Sequence, residues 1–133
     1  MKQRFNKIQT YKFKFWSNIF FVFPFILSVD NSLYWYSLVI GLMLFLSVSY
    51  HYNDEKKYFY RDCIISIILM ASNFWLLING NWTPPYSFIS LTSAVIAICF
   101  YLRQYKKGYN FNHGMWHFFS AIVCYFSILT YLN

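Results

Sequence analysis

His113-Gly114-Met115-Trp116-His117 sets two imidazoles four residues apart, so on a helix they share a face, one turn above the other. The third histidine, His51, closes a second stretch with the same step, Ser47-Val48-Ser49-Tyr50-His51. Three neutral imidazoles are a familiar zinc ligand set that leaves a fourth position for water. The ion lowers the pKa of that water toward neutrality. Asp62 is a carboxylate that could accept its proton. Ser47 is a hydroxyl that could bond a ligand, the water or a substrate carbonyl. Gly114, between the two histidines, would let a neighbouring helix or a substrate come close. This chemistry requires Ser47, His51, Asp62, His113 and His117 to meet, so the elements that carry them must run in suitable directions.

Composition identifies those elements. The 133 residues are 59% hydrophobic, 26% aromatic and only 11% charged, where a soluble domain carries roughly 25% charged residues. The chain reads as an integral, multi-pass membrane protein of a membrane that the sequence does not name. Cys63, Cys99 and Cys124 fall inside apolar runs without metal-ligand spacing and read as small buried apolar residues. The net charge of +7 has a topological meaning here. The expected partners are the lipid bilayer and a membrane lipid, not nucleic acid.

Hydropathy divides the chain into a basic tail, residues 1–14, and five apolar runs at about 15–29, 33–51, 60–78, 85–102 and 113–132. Each is close to the ~20 residues needed to cross a hydrocarbon core of about 30 Å. Lipid offers no partner to open backbone groups, so each must be helical. The expected fold is all-α, a single polytopic bundle over 1–133. The first run could be mistaken for a signal peptide, but no small-x-small cleavage site follows Ser28. It reads as a retained helix kinked near Pro24. Asn79-Gly80-Asn81 is a turn signal. Thr83 before Pro84-Pro85 reads as a helix N-cap, which favours a turn over a glycosylation site at Asn81-Trp82-Thr83.

The basic residues orient the bundle. All 11 lysines and arginines lie in the N-terminal tail, near 56–61 or near 103–107. Five spans put these three segments on one face, cytoplasmic with the N-terminus, and leave Asp30 as the other face's charge. On that topology the second helix ends at His51 with Ser47 one turn deeper, about 6 Å. The third begins with Asp62 in its first turn. The fifth begins with His113, and His117 lies one turn deeper. All five residues therefore sit within about two turns of one surface. Each has a plain reading alone: a histidine tip in the headgroups, Asp62 paired with Arg61 or Lys57, Ser47 bonded back to its own helix. Their convergence favours a metal or cofactor site, since ionisable groups in membrane helices are functional candidates.

The order Ser-x-x-x-His at one helix end, Asp at the next helix start and His-x-x-x-His at the last resembles the CREST superfamily of membrane hydrolases. That group includes alkaline ceramidases, progestin and adiponectin receptors, haemolysin III-like proteins and GPI-anchor remodelling lipases. Trp116-His117 is similar to the family's final motif, and Ser47, Tyr50, His51 and Asp54 resemble the GPI-lipase-like branch. The resemblance implies zinc held by His51, His113 and His117, with Asp62 and Ser47 as catalytic residues at the activated water. It also implies hydrolysis of a lipid amide or ester, ceramidase- or phospholipase-like. The family has seven core helices and this chain has room for five. Loss of two helices keeps the last histidines on the same face, and a homodimer would rebuild the missing wall. Two alternatives stand beside this reading. One is a haem protein with two axial histidines, which gives Ser47 and Asp62 no role. The other is a noncatalytic receptor or assembly protein with a structural zinc.

Overall fold

The structure, a computed structural model, describes residues 13–53, 56–106 and 108–133. Most of the basic tail, and Asp54 of the branch motif, lie outside the described residues. Five helices account for nearly all the rest: α1 (Phe13–Asp30), α2 (Tyr34–Asn53), α3 (Lys56–Asn79), α4 (Tyr86–Arg103) and α5 (Tyr109–Leu132). All five are long and apolar enough to cross a membrane, and no strand occurs among the described residues. The expected all-α bundle of five helices is the observed architecture.

Helix ends differ from the hydropathy limits because a helix continues through polar residues that hydropathy excludes. α3 starts at Lys56 and α5 at Tyr109, so Asp62 and His113 lie in second turns rather than first. Thr83 does not cap α4. Its hydroxyl donates to the Gly80 carbonyl at 2.7 Å, within a turn where Asn81 and Trp82 have φ of 52° and 54°. The Pro84–Pro85 peptide is cis, and the helix starts after it. In α1 the expected irregularity at Pro24 takes the form of a 3₁₀ turn over Ser17–Phe21 ahead of the α-helical Val22–Asp30. Pro24 has no N–H for the Phe20 carbonyl four residues back, and its ring crowds that carbonyl.

α5 is the central element. It packs against α1, α3 and α4, and α2 bridges α1 and α3. The closest approaches use small residues, as expected where helices associate in lipid without a hydrophobic drive. Ser87, Ser90, Ser93 and Ala97 form the buried face of α4. At the far end of the bundle, a Cβ on Gly80 would run into the backbone carbonyl of Thr130, so the α3–α4 turn can sit on α5 only as glycine. Large apolar side chains such as Phe45, Ile64, Phe88 and Val95 instead point outward, as suits helices long and apolar enough to cross a membrane. α3 and α4 are consecutive but, among the described residues, do not pack along each other; both rest on α5. This leaves a cleft between them.

Candidate metal centre

The antiparallel run of the helices brings the end of α2 and the starts of α1, α3 and α5 to one end of the bundle. His51 arrives from α2, and His113 and His117 from successive turns of α5. The three are 4%, 4% and 5% exposed, which differs from imidazole tips resting in headgroups. The Nε2 atoms of His51 and His113 are 3.1 Å apart. One potential ligand atom from each of the three residues lies within 4.8 Å of the others. Two imidazole nitrogens bound at about 2.0–2.1 Å to one tetrahedral ion stand about 3.3 Å apart. The His51–His113 pair is near that separation already, and His117 needs to close by roughly 1.5 Å at most to meet it. Without an ion, a 3.1 Å contact between two ring nitrogens requires one proton between them, so one ring donates and the other accepts.

The position of His117 follows from the packing of α1 on α5. Phe21 packs edge-on against its ring at 6.2 Å. Gly114 receives the ring of Phe13 from α1, which would collide with any Cβ there. The close approach expected at Gly114 is thus made by a neighbouring helix. Lys14, one residue further along α1, holds its ammonium 3.8 Å from the centroid of Tyr109, a cation–π contact. The start of α1 therefore covers the start of α5.

Two residues that hydropathy and motif spacing did not single out hold the outer ring nitrogens. Gln104, in the turn after α4, places Oε1 2.7 Å from His113 Nδ1 and is itself buried. Ser17, in the 3₁₀ turn of α1, places Oγ 3.2 Å from His117 Nδ1. A faint signal for each exists in the sequence. Ser17-Asn18 is the polar pair inside the first apolar run, and Gln104 is the uncharged polar residue amid Arg103, Lys106 and Lys107.

Ser47 and Asp62 reach the same region from α2 and α3. Both are buried, and Ser47 stands beside the Asp62 carboxyl, but neither Ser47 Oγ nor Asp62 Oδ1 meets a partner at full hydrogen-bond geometry. Ser47 therefore does not bond back to its own helix. Buried polar atoms are nearly always satisfied, so two open ones mark a place where something else is expected to bind. Both line a cavity of about 120 Å³ together with His117. The rest of the lining is mainly apolar, with Met43 from α2, Leu69 and Met70 from α3 and Ala94, Ala97 and Ile98 from α4, beside the hydroxyls of Ser66 and Ser120. Met70 and Ile98 are also exposed at the outer surface, so the cavity wall continues to the lipid-facing side.

The donor set suits a metal. Three buried imidazoles converge, two have their outer nitrogens engaged by oxygen atoms, and a carboxylate and a hydroxyl remain open beside them. The cluster could hold one metal ion. No protein-family model matches this chain, and no curated protein or solved structure matches it either.

Proposed function

We propose that this chain is a zinc-dependent intramembrane hydrolase acting on the amide or ester bond of a lipid. His51, His113 and His117 would hold the ion. The observation that carries the reading is the cavity that His117, the open Ser47 Oγ and the open Asp62 Oδ1 line together with mainly apolar residues. A lipid carbonyl likewise joins one polar bond to a hydrocarbon chain. Zinc in this site would supply Lewis-acid activation of a water molecule and of the substrate carbonyl.

The chain's own residues would do the rest. The cleft between α3 and α4 seats the hydrocarbon chain, which enters sideways from the bilayer. Ala94 and Ala97 keep that wall low enough for a chain to lie against it. Asp62 accepts the proton of the attacking water and returns it to the departing amine or alcohol, as a general base and then acid. Ser47 donates its hydroxyl proton to the substrate carbonyl oxygen, stabilising the negative charge that develops there.

The same geometry weighs against a haem. Imidazoles on opposite faces of a porphyrin must stand apart with the ring between them, whereas His51 and His113 are in direct contact. A structural zinc without catalysis would leave Ser47 and Asp62 unexplained. Metal analysis of protein purified in detergent, combined with hydrolysis assays on ceramides and phospholipids, tests the proposal. About one zinc per chain is expected, lost together with turnover in the double variant His113→Ala, His117→Ala. Full metal retention in that variant would sink the reading.

A further inference from the structure

Gln104 and Ser17 lie outside any motif, yet they touch the two histidines of α5 at the same ring atom. The proton count at each contact is restrictive. Ser17 Oγ lies 2.9 Å from the Lys14 carbonyl oxygen, the shorter of its two contacts and one to a group that can only accept, so the single hydroxyl proton is assigned there. What Ser17 offers His117 Nδ1 at 3.2 Å is then a lone pair. With that assignment His117 carries its proton on Nδ1, which leaves the Nε2 lone pair free. At His113 the contact is the Gln104 amide oxygen at 2.7 Å, again an acceptor, with the same consequence.

We infer that Gln104 and Ser17 are positioning residues that fix the tautomers of His113 and His117, so that both present Nε2 to the metal. The inference rests on the proposed metal site but concerns groups that need no metal to act. It gives the first and fourth helices a part in a site whose ligands come from the second and fifth. The 3₁₀ turn at Ser17–Phe21 supplies the Ser17 contact, and the chain just beyond Arg103 supplies Gln104. It also makes the His51–His113 contact directional. With the lone pair of His113 on Nε2, His51 is the ring that donates across the 3.1 Å separation. Metal binding must then displace the His51 proton alone, with the other two ligands already in their binding form. Outer partners of this kind typically change metal affinity by 10–100-fold when removed.

The test uses full-length protein in detergent, stripped of metal and titrated with zinc against a competing chelator. Gln104→Met keeps the length of the side chain but removes the acceptor, and about 10–100-fold weaker zinc binding is expected. Ser17→Ala should weaken binding in the same direction. Gln104→Glu keeps an acceptor and cannot donate when ionised, so it should bind zinc at least as tightly as the wild type. Nitrogen-15 spectra of metal-free wild type should show both α5 histidines protonated at Nδ1. Affinities of Gln104→Met and Ser17→Ala within twofold of wild type would overturn the inference, as would weak binding by Gln104→Glu. An Nε2-protonated His113 or His117 would overturn it whether or not zinc binds. Failure of the wild type to bind zinc would count against the metal site itself, and the nitrogen spectra would still decide the tautomers.

Discussion

Tyr36, Asn73 and Cys124 join α2, α3 and α5 in the half of the bundle away from the histidines. The Tyr36 hydroxyl donates to Asn73 Oδ1, and Asn73 Nδ2 lies 3.5 Å from Cys124 Sγ. Nearby, Ser28 and Ser37 pair at 2.8 Å, and Ser90 and Ser127 at 2.9 Å. Among the described residues, no fully enclosed side-chain nitrogen or oxygen in that half lacks a partner. The histidine end differs: Asn18 Oδ1, Ser47 Oγ and Asp62 Oδ1 are all buried there without one. Satisfied pairs between helices hold a bundle together. Open groups destabilise it by roughly 1–3 kcal/mol each, and such groups persist where function uses them.

If this division holds, substitutions at the two ends should fail in different ways. The largest effect is expected at Asp62. Asp62→Ala should lower lipid hydrolysis by about 10²–10⁴-fold, the usual worth of a general acid–base group. Zinc content should stay at the wild-type value, and thermal stability should hold or rise, because an unsatisfied buried oxygen has been removed. A loss of zinc with the carboxylate would make Asp62 a ligand. Unchanged turnover would return the site to a structural role.

Asn73 tests the other end. Asn73→Leu strands the Tyr36 hydroxyl in the bundle interior, which should lower stability by about 1–3 kcal/mol. Zinc affinity should be unchanged, since Asn73 lies about three turns along α3 from Asp62. Thermal unfolding in one detergent, followed with and without zinc, reads both quantities. A variant that unfolds normally but loses zinc would erase the distinction between the halves.

The sequence exposes the division only in part, and the reason lies in the solvent. Five spans are legible because apolar runs of this length have one stable form in lipid. The convergence of His51, Asp62, His113 and His117 is legible because the basic residues alternate with the spans. Helix rotation is not legible in the same way. In water, the apolar stripe of a helix shows which side is buried; here Phe45 and Ile64 face outward while Ile40 and Leu76 face inward. Ser17 and Gln104 depend on that rotation, and Ser17 also on a local 3₁₀ turn. Small residues carry the remaining signal: Ser90, Ser93 and Ala97 recur on one side of α4, and that side is buried on α5.

Ser90 and Ser127 give the smallest expected effect and the most specific one. Ser90 Oγ contacts both the Val123 carbonyl at 3.3 Å and Ser127 Oγ at 2.9 Å. If the Ser90 proton goes to the carbonyl, which can only accept, the proton between the two hydroxyls must come from Ser127. Ser90→Ala therefore breaks two contacts across the α4–α5 interface, and Ser127→Ala breaks one. Interhelical hydrogen bonds in membranes average about 0.6 kcal/mol. Ser90→Ala should then cost about 1 kcal/mol and Ser127→Ala about half of that. The double variant should cost no more than Ser90→Ala alone, because the contact of Ser127 with Ser90 is already gone. Additive costs in this cycle would mean that the two hydroxyls act independently. The far half would then be a set of separate small contacts instead of a connected seam.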